Sequence, residues 1–437
     1  MANNTPQIIG RADHTVSRKH ISKAALKVLY TLKDAGFQAF LVGGAVRDLL
    51  LGGRPKDFDV GTDADPDQVH ALFRNSRIIG RRFRLVHVRF GREIIEVATF
   101  RAASDPDLDE DRSDEEGRLL RDNMYGSIDE DVWRRDFTVN ALYYNIADFS
   151  VWDYVGGVED LKDRKLELIG EPARRLREDP VRVLRAVRFA AKLRFMPVPS
   201  LESAIAEHKE LLANIPPARL FDEFLKLFQA GFARSAFDAL RYYQVFRELF
   251  PDTAEGLAAH DGEDFEHFIR TALDNTDRRV EEGKPITPMF LLGVFLWWPI
   301  RARARMYVED DGVNEVQALG RATYDCLARQ QARIAIPRRF GAPLREMITM
   351  QPRFAKQRGG RALGFLEHRR FRAAYDFMLL RHVIGDVSDE TAEFWTEVQT
   401  MEQAERVQAF GLSQKPANKD RPRRRRRRRK PPPSNDG

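Results

Sequence analysis

The chain has a single cysteine among 437 residues, Cys326, which excludes an internal disulfide and argues against a thiolate metal cluster. It also lacks the run of about 20 apolar residues needed to span a bilayer. The nearest approach, Met289 to Ile300, is too short and reads as a buried helix. The opening Met-Ala-Asn-Asn-Thr-Pro has no basic-then-apolar layout of a secretion signal. The expectation is therefore a cytoplasmic protein with no membrane-spanning segment. Histidine offers no chemistry of its own. His14 and His20 fall in a polar N-terminal stretch, and His87 lies on an apolar strand as a packed or surface residue. No Ser-His-Asp layout and no zinc-type Cys/His spacing occurs. No internal repeat of fixed period is found.

Charge is plentiful and unevenly placed. The net charge is +6, yet Lys415 to Gly437 holds eleven basic and two acidic side chains, a net of +9, so the rest of the chain carries 6 − 9 = −3. Arg423 to Arg429 are seven consecutive arginines. Such a block repels itself and has nothing to bury, so residues 411–437 are expected to be a disordered arginine-rich tail. Dense arginine attracts polyanions by releasing counterions from phosphates. A second biased stretch, residues 102–117, contains eight acidic side chains and reads as an exposed, flexible acidic loop.

The first twenty residues are polar and expected to be loosely ordered. Helical spacing runs from Ser22 to Ala35, with Gly36 as its stop. Ala39 to Val42 reads as a buried strand entering Gly43-Gly44, and Val46 to Leu51 resumes a helical pattern. Asp57 to Val60 reads as a second strand. Asp65-Pro66 looks like a cap and first helical position. Leu85 to Phe90 and Glu93 to Arg101 form a hairpin pattern around Gly91-Arg92, and Val139 to Ile146 another strand. From about residue 171 the patterns are helical, including Pro180 to Leu193, Ala218 to Ala230 and Arg361 to Arg381. This gives an α+β head over 21–170, a helical neck over 171–235, a helical body and tail over 236–410, and then the basic extension.

Side chains two apart on a strand share a face, so Asp57 and Asp59 project together while Phe58 and Val60 face inward. Two adjacent carboxylates repel unless a cation compensates them. Magnesium suits the task, since it takes one or two carboxylates plus substrate phosphates. A pair of such ions can activate a hydroxyl and stabilise departing pyrophosphate. An Asp-x-Asp pattern alone is weak, because most instances are turns or solvated faces. The Gly43-Gly44 turn, leading from strand to helix fifteen residues earlier, sharpens it: bare backbone there can approach a phosphate.

Together, Leu41-Val-Gly-Gly-Ala-Val-Arg-Asp-Leu-Leu-Leu-Gly52 and Lys56-Asp-Phe-Asp-Val60 resemble the head of the bacterial tRNA nucleotidyltransferase and poly(A) polymerase family. The resemblance continues through Arg134-Arg-Asp-Phe-Thr-Val-Asn-Ala-Leu142, and through Glu178-Asp-Pro-Val-Arg182 with Leu184-Arg-Ala-Val-Arg-Phe-Ala190. It implies a polymerase beta-like nucleotidyltransferase palm followed by all-helical neck, body and tail domains. Asp57 and Asp59 would hold Mg2+, and Asp136 would be the third active-site acid. Glu96, mid-strand among apolar neighbours, is its rival, with a nearby arginine as the ordinary alternative partner. Arg47, Arg134 and Arg135 suit the triphosphate of ATP, alongside Gly43 and Gly44. Asp179 and Arg182, read as one face of the neck helix, would form a protein template for the incoming base, or simply a salt bridge.

Two activities share these motifs, CCA addition to tRNA and untemplated polyadenylation of RNA 3′ ends. Several runs resemble the polyadenylating branch: Gly80-Arg-Arg-Phe-Arg-Leu-Val-His-Val88 before Ile94 to Arg101, Leu119-Leu-Arg-Asp-Asn123, Ile215-Pro-Pro-Ala-Arg-Leu-Phe221, and Leu366-Glu-His368. A basic arm that grips any RNA also suits many different 3′ ends. The expectation is adenylate transfer from ATP to RNA 3′ ends, with CCA addition as the alternative and an inactive RNA-binding scaffold as a second. The resemblance also leaves room for RNA-decay or RNA-chaperone proteins as partners.

Overall fold

The computed structural model describes residues 5–80, 84–102 and 125–412. The acidic loop beyond residue 102, Arg81-Arg82-Phe83, the run Leu119 to Asn123 and the tail from residue 413 lie outside them.

Buried apolar runs and alternating strands build one eight-stranded mixed sheet. Its strands are β1 (Gln7–Ile9), β2 (Ala39–Val42), β3 (Asp59–Thr62), β4 (Ser76–Ile79), β5 (Leu85–Phe90), β6 (Glu93–Thr99), β7 (Leu142–Asn145) and β8 (Val151–Asp153), in the order β1-β8-β7-β2-β3-β6-β5-β4. Every neighbouring pair is antiparallel except β3 with β6. Helix α1 (Lys23–Asp34) begins at Ser22, whose hydroxyl accepts from the Ala25 amide, and buries Val28, Leu29 and Leu32. It packs against β2, β3 and β6. Helix α2 (Gly44–Leu50) follows β2 directly, and α3 (Pro66–Leu72) carries a full capping box from Asp65 and Gln68.

One face of the sheet is aromatic. Phe40, Phe100 and Tyr143 meet edge-on or tilted, with centroids 6.1–6.4 Å apart, and pack with Val42, Ile128 and Val132. Gly61 makes room for this layer: a Cβ there would come within 2.8 Å of the Phe100 ring. Helix α4 (Ile128–Arg134), capped by Ser127 and Glu130, lies on the same cluster.

Four expectations are corrected here. Residues 5–20 are not loose: β1 pairs with β8, Val16 is buried, and His14 Nε2 lies 2.9 Å from the Phe149 carbonyl oxygen. The second strand starts at Asp59 rather than Asp57, because β2 ends at Val42, opposite Asp59, and offers no partner further back. Thr138–Asn140 form a 3-10 turn, and the strand expected from Val139 begins only at Leu142, where β8 supplies a partner. The helix expected over Arg361 to Arg381 is two, Gly360–Phe365 and Phe371–Val383.

After α5 (Gly157–Asp163) the chain is helical apart from one short parallel strand pair, Lys165–Leu166 with Met196–Pro197, and its first helices are α6 (Pro172–Glu178), α7 (Val181–Leu193), α8 (Pro199–His208) and α9 (Pro217–Phe228). The chain divides into two units. One comprises Met1–Ala259, Leu273–Ile286 and Ala328–Ile336, and the other His260–Ala272, Thr287–Leu327 and Pro337–Gly437. In the second unit, the apolar run Met289 to Ile300 forms the buried half of helix Pro288–Asp311. No helix among the described residues is long and apolar enough to cross a membrane.

Candidate active site

Strand register places Tyr143, Val42, Asp59, Glu96 and His87 in one transverse row across β7, β2, β3, β6 and β5. The row starts in the aromatic layer and emerges into water: Tyr143 and Val42 are buried, whereas Asp59 and Glu96 are exposed. Asp57 precedes the strand but keeps the alternation, exposed on either side of buried Phe58. Although Asp59 reaches solvent, its carboxyl is pushed up to about 6. Partial burial is the main cause, the negative charge of Glu96 the next, and that of Asp57 a smaller one, while Arg135 pulls the other way. Negative charge that Arg135 offsets only in part is thus concentrated at one point. Glu96 does not sit in an apolar setting, as its sequence neighbours suggested. It is half exposed, and its partner is His87, at 3.1 Å, rather than an arginine.

Asp59 lines a cavity of about 480 Å3 together with Gly43, Gly44, Arg47, Arg134, Arg135, Asp136, Asp179 and Arg182, and with four residues not singled out from sequence, Asn140, Arg185, Phe189 and Arg219. Gly43 has φ 69° and ψ −133°, open to glycine alone, and its missing side chain leaves Arg135 Nη1 3.5 Å from where a Cβ would stand. Helix α2, only seven residues long, contributes little field, so the positive charge of the cleft comes from guanidinium groups.

These guanidiniums are held in place, each by different means. Arg135 donates to Tyr143 Oη at 2.7 Å and to Asp131 at 3.0–3.1 Å, with its charge over the Tyr143 ring. Arg47 is buried, bridging Asp48 at 2.7 Å and Asn140 Oδ1 at 2.5 Å. Asn140 in turn donates to Asp136 Oδ1 at 3.3 Å, and its carbonyl accepts from Arg135 at 3.4 Å. Asp136 Oδ1 also accepts from the Phe137 amide, and Oδ2 is taken by both Arg185 Nε and Nη2. Burial alone would raise the Asp136 carboxyl, but Arg185, with the Phe137 and Asn140 hydrogen bonds, holds it below its usual range. The side chain of Asn140 therefore connects α2 to the first turns of α7.

Asp179 and Arg182 both line the cleft, but not as one face of one helix. Asp179 stands between α6 and α7 in extended backbone, φ −147° and ψ 92°, as expected of a residue preceding proline. Its carboxylate pairs with Arg219 of α9 at 2.7 Å, while Arg182 pairs with Glu178 at 3.2 Å and donates to the Arg175 carbonyl at 2.6 Å. The expected mutual salt bridge is replaced by these two. Arg185 and Phe189 carried a signal in sequence, since Arg185 follows Arg182 by three residues and Phe189 follows Arg185 by four, both helical spacings. Arg219 carried none, because its partner is forty residues away.

Among the described residues, no group of three or more His, Cys, Asp or Glu side chains closes around an ion position by itself.

Three family models match: "Poly A polymerase head domain" over residues 39–167, "Probable RNA and SrmB- binding site of polymerase A" over 195–257, and "Polymerase A arginine-rich C-terminus" over 311–430. Poly(A) polymerase I of Salmonella typhi is 47% identical over 397 residues, 90% of this chain and 85% of that protein. The CCA-adding enzyme of Lactobacillus helveticus is 40% identical over 230 residues, 53% of this chain and 55% of that protein. Among solved structures, the Bacillus stearothermophilus CCA-adding enzyme in complex with CTP covers 90% of this chain and 89% of its own, with a TM-score of 0.55 at 24% identity. That likeness carries the fold alone.

Proposed function

Because the chain belongs to the family of bacterial poly(A) polymerases I, which are polynucleotide adenylyltransferases, we propose that the arginine-lined cleft is where ATP meets an RNA 3′ end. The enzyme adds AMP from ATP to RNA 3′ ends without a nucleic-acid template. One observation carries the choice over CCA addition: sequence likeness to a poly(A) polymerase I, 47% identical, runs through 90% of the chain, whereas sequence likeness to the CCA-adding enzyme of Lactobacillus helveticus, 40% identical, covers 53%. An inactive scaffold is disfavoured because both carboxylates, the glycine turn, Asp179 and Arg182 are all present.

In this reading residues 21–170 do the chemistry and residues 171–235 read the base. The donor set fits magnesium. Asp57 and Asp59 are hard oxygen donors beside Glu96, and Arg135 offsets their charge only in part, which suits an ion completed by substrate phosphates and water. When bound, Mg2+ supplies charge neutralisation at the reacting phosphate and lowers the pKa of the attacking hydroxyl. Glu96, the direct register partner of Asp59 on the neighbouring strand, is our third carboxylate in place of Asp136, whose oxygens are already engaged. Arg134 and Arg135 face the triphosphate, and Arg47 acts as a positioning residue through Asn140. Asp179 and Arg182, each fixed by its own partner, offer an acceptor and a donor to the base edge. The RNA 3′ oxygen displaces pyrophosphate from the α-phosphorus, one P–O bond forming as another breaks. Orientation of the two substrates supplies much of the acceleration.

The test is to give the protein a generic RNA, and separately a tRNA lacking CCA, with each nucleotide singly. Long extension with ATP alone is expected; addition limited to two C and one A would overturn the reading. Asp57→Ala and Asp59→Ala should each abolish extension and leave RNA affinity nearly intact.

A further inference from the structure

A second cationic pocket lies at the opposite end of the head. The cleft sits where α2 begins, at Gly44, and where β7 begins, beside Asn140. At the other end of α2, the Thr15 hydroxyl lies 3.5 and 3.4 Å from the carbonyls of Leu49 and Leu50. At the other end of β7, the chain turns through Phe149 into β8. Between these, Arg11, Arg18 and Lys19 of the N-terminal segment, Tyr30 of α1 and Phe149 surround a cavity of about 490 Å3.

Its construction is specific. Phe149 has φ 65°, a left-handed conformation that a bulky residue adopts only under constraint. The constraint is visible: its amide donates to the Asn145 carbonyl at 2.9 Å, and its own carbonyl lies 2.9 Å from His14 Nε2. The ring so placed lies under the Arg18 guanidinium, 4.2 Å from its centroid, and Arg18 Nη1 donates to Tyr30 Oη at 2.7 Å. Arg11 donates only to the His14 carbonyl, and among the described residues none of Arg11, Arg18 and Lys19 has a carboxylate partner. Of the neighbouring acids, Asp148 is turned to the Ser150 amide and hydroxyl. Three cations are therefore gathered beside the Phe149 ring, and no carboxylate is paired with any of them among the described residues.

We propose that this pocket binds backbone phosphates of RNA upstream of the 3′ end. The assignment rests on RNA being the substrate and adds a contact at the far side of the head. The three cationic residues are exposed, so a lone small anion would gain little there. A polyanion gains at each contact by releasing counterions, and an aromatic ring with a stacked arginine suits a tracking strand. A strand short enough to fill only the cleft does not reach it.

The experiment uses the full chain with the combined variant Arg11→Gln, Arg18→Gln, Lys19→Gln, and separately Phe149→Asn. Asparagine tolerates positive φ and removes only the ring. Binding of a long unstructured RNA is titrated across salt, alongside extension of a short oligo(A) with ATP and calorimetric titration of ATP. The triple variant should bind long RNA about three- to tenfold more weakly, with the salt slope reduced by about 2, while short-oligonucleotide extension is unchanged. Phe149→Asn should weaken long-RNA binding without altering short-substrate extension. Unchanged long-RNA affinity and slope would overturn the proposal, as would equal losses on long and short RNA. A second ATP site present in the wild type and lost in the variant would reassign the pocket to a free nucleotide. Failure of the wild type to extend any RNA with ATP would count against the proposed function instead.

Discussion

Asp136 and Glu96 differ in how far hydrogen bonds take up their carboxylates, which is why we propose a chemical role for the second. Asp136 gives one oxygen to the Phe137 amide and Asn140 and the other to Arg185, whereas Glu96 is half exposed and touches only His87 among the described residues. Asp136→Asn should therefore cost about 2 kcal/mol of stability, the range for charge-assisted hydrogen bonds of a mostly buried group. Its sign with pH follows from the depressed carboxyl: the stabilisation is fully present above the unfolded value near 3.9 and is lost as pH falls through the lower folded value. Thermal unfolding of the two proteins should differ at pH 7 and converge in stronger acid; a constant gap would sink the assignment. Glu96→Gln should do the reverse, leaving the thermal transition in place while lowering kcat by about a hundredfold or more. Equal kcat in Glu96→Gln and wild type would return the third carboxylate to Asp136. The sequence contained both candidates but could not rank them, because the deciding partner, Arg185, is forty-nine residues from Asp136.

At the scale of elements, the site depends on where strands and helices stop. Strand β2 ends at Val42 because Gly43 turns the chain into α2, and that ending sets Asp59 as the first paired residue of β3. Gly43→Ala should cost about 1–3 kcal/mol for its backbone conformation and bring a methyl group to 3.5 Å from Arg135 Nη1. The expected readout is a lower thermal transition with raised KM for ATP and little change in RNA affinity; wild-type KM in a folded variant would show that the turn does not shape the nucleotide site. Much at this level was legible beforehand. The helix cap at Asp65, the hairpin at Gly91 and strand Ala39–Val42 all follow from local chemistry. The misread boundaries have non-local causes, such as the missing partner opposite Asp57 or the β8 strand that begins pairing at Leu142. One cause was local and overlooked: Pro180 forces Asp179 out of the helix, so that it turns to Arg219 rather than Arg182.

For the molecule as a whole, the proposed reading and the distribution of charge imply two ways of holding RNA. In the proposed reading the cleft positions a 3′ end with guanidiniums, of which Arg47, Arg135, Arg182 and Arg185 are already hydrogen-bonded, so losing one disturbs a network. The segment from Lys415 to Gly437 carries eleven basic and two acidic side chains, and we propose from this composition that it acts as a polyanion arm. Each phosphate neutralised on single-stranded RNA contributes about 0.7 to the slope of log affinity against log salt. Deleting residues 415 to 437 should therefore flatten that slope by several units and weaken binding most at low salt. The effect should be alike for RNAs of different sequence, because arginine on a phosphate carries no base information. Extension of a short oligo(A) at saturating concentration should continue, since Asp57, Asp59 and the base-reading pair are intact. A slope unchanged by the deletion would mean that the arm does not touch the substrate, and a loss confined to one RNA sequence would mean that it reads bases rather than backbone.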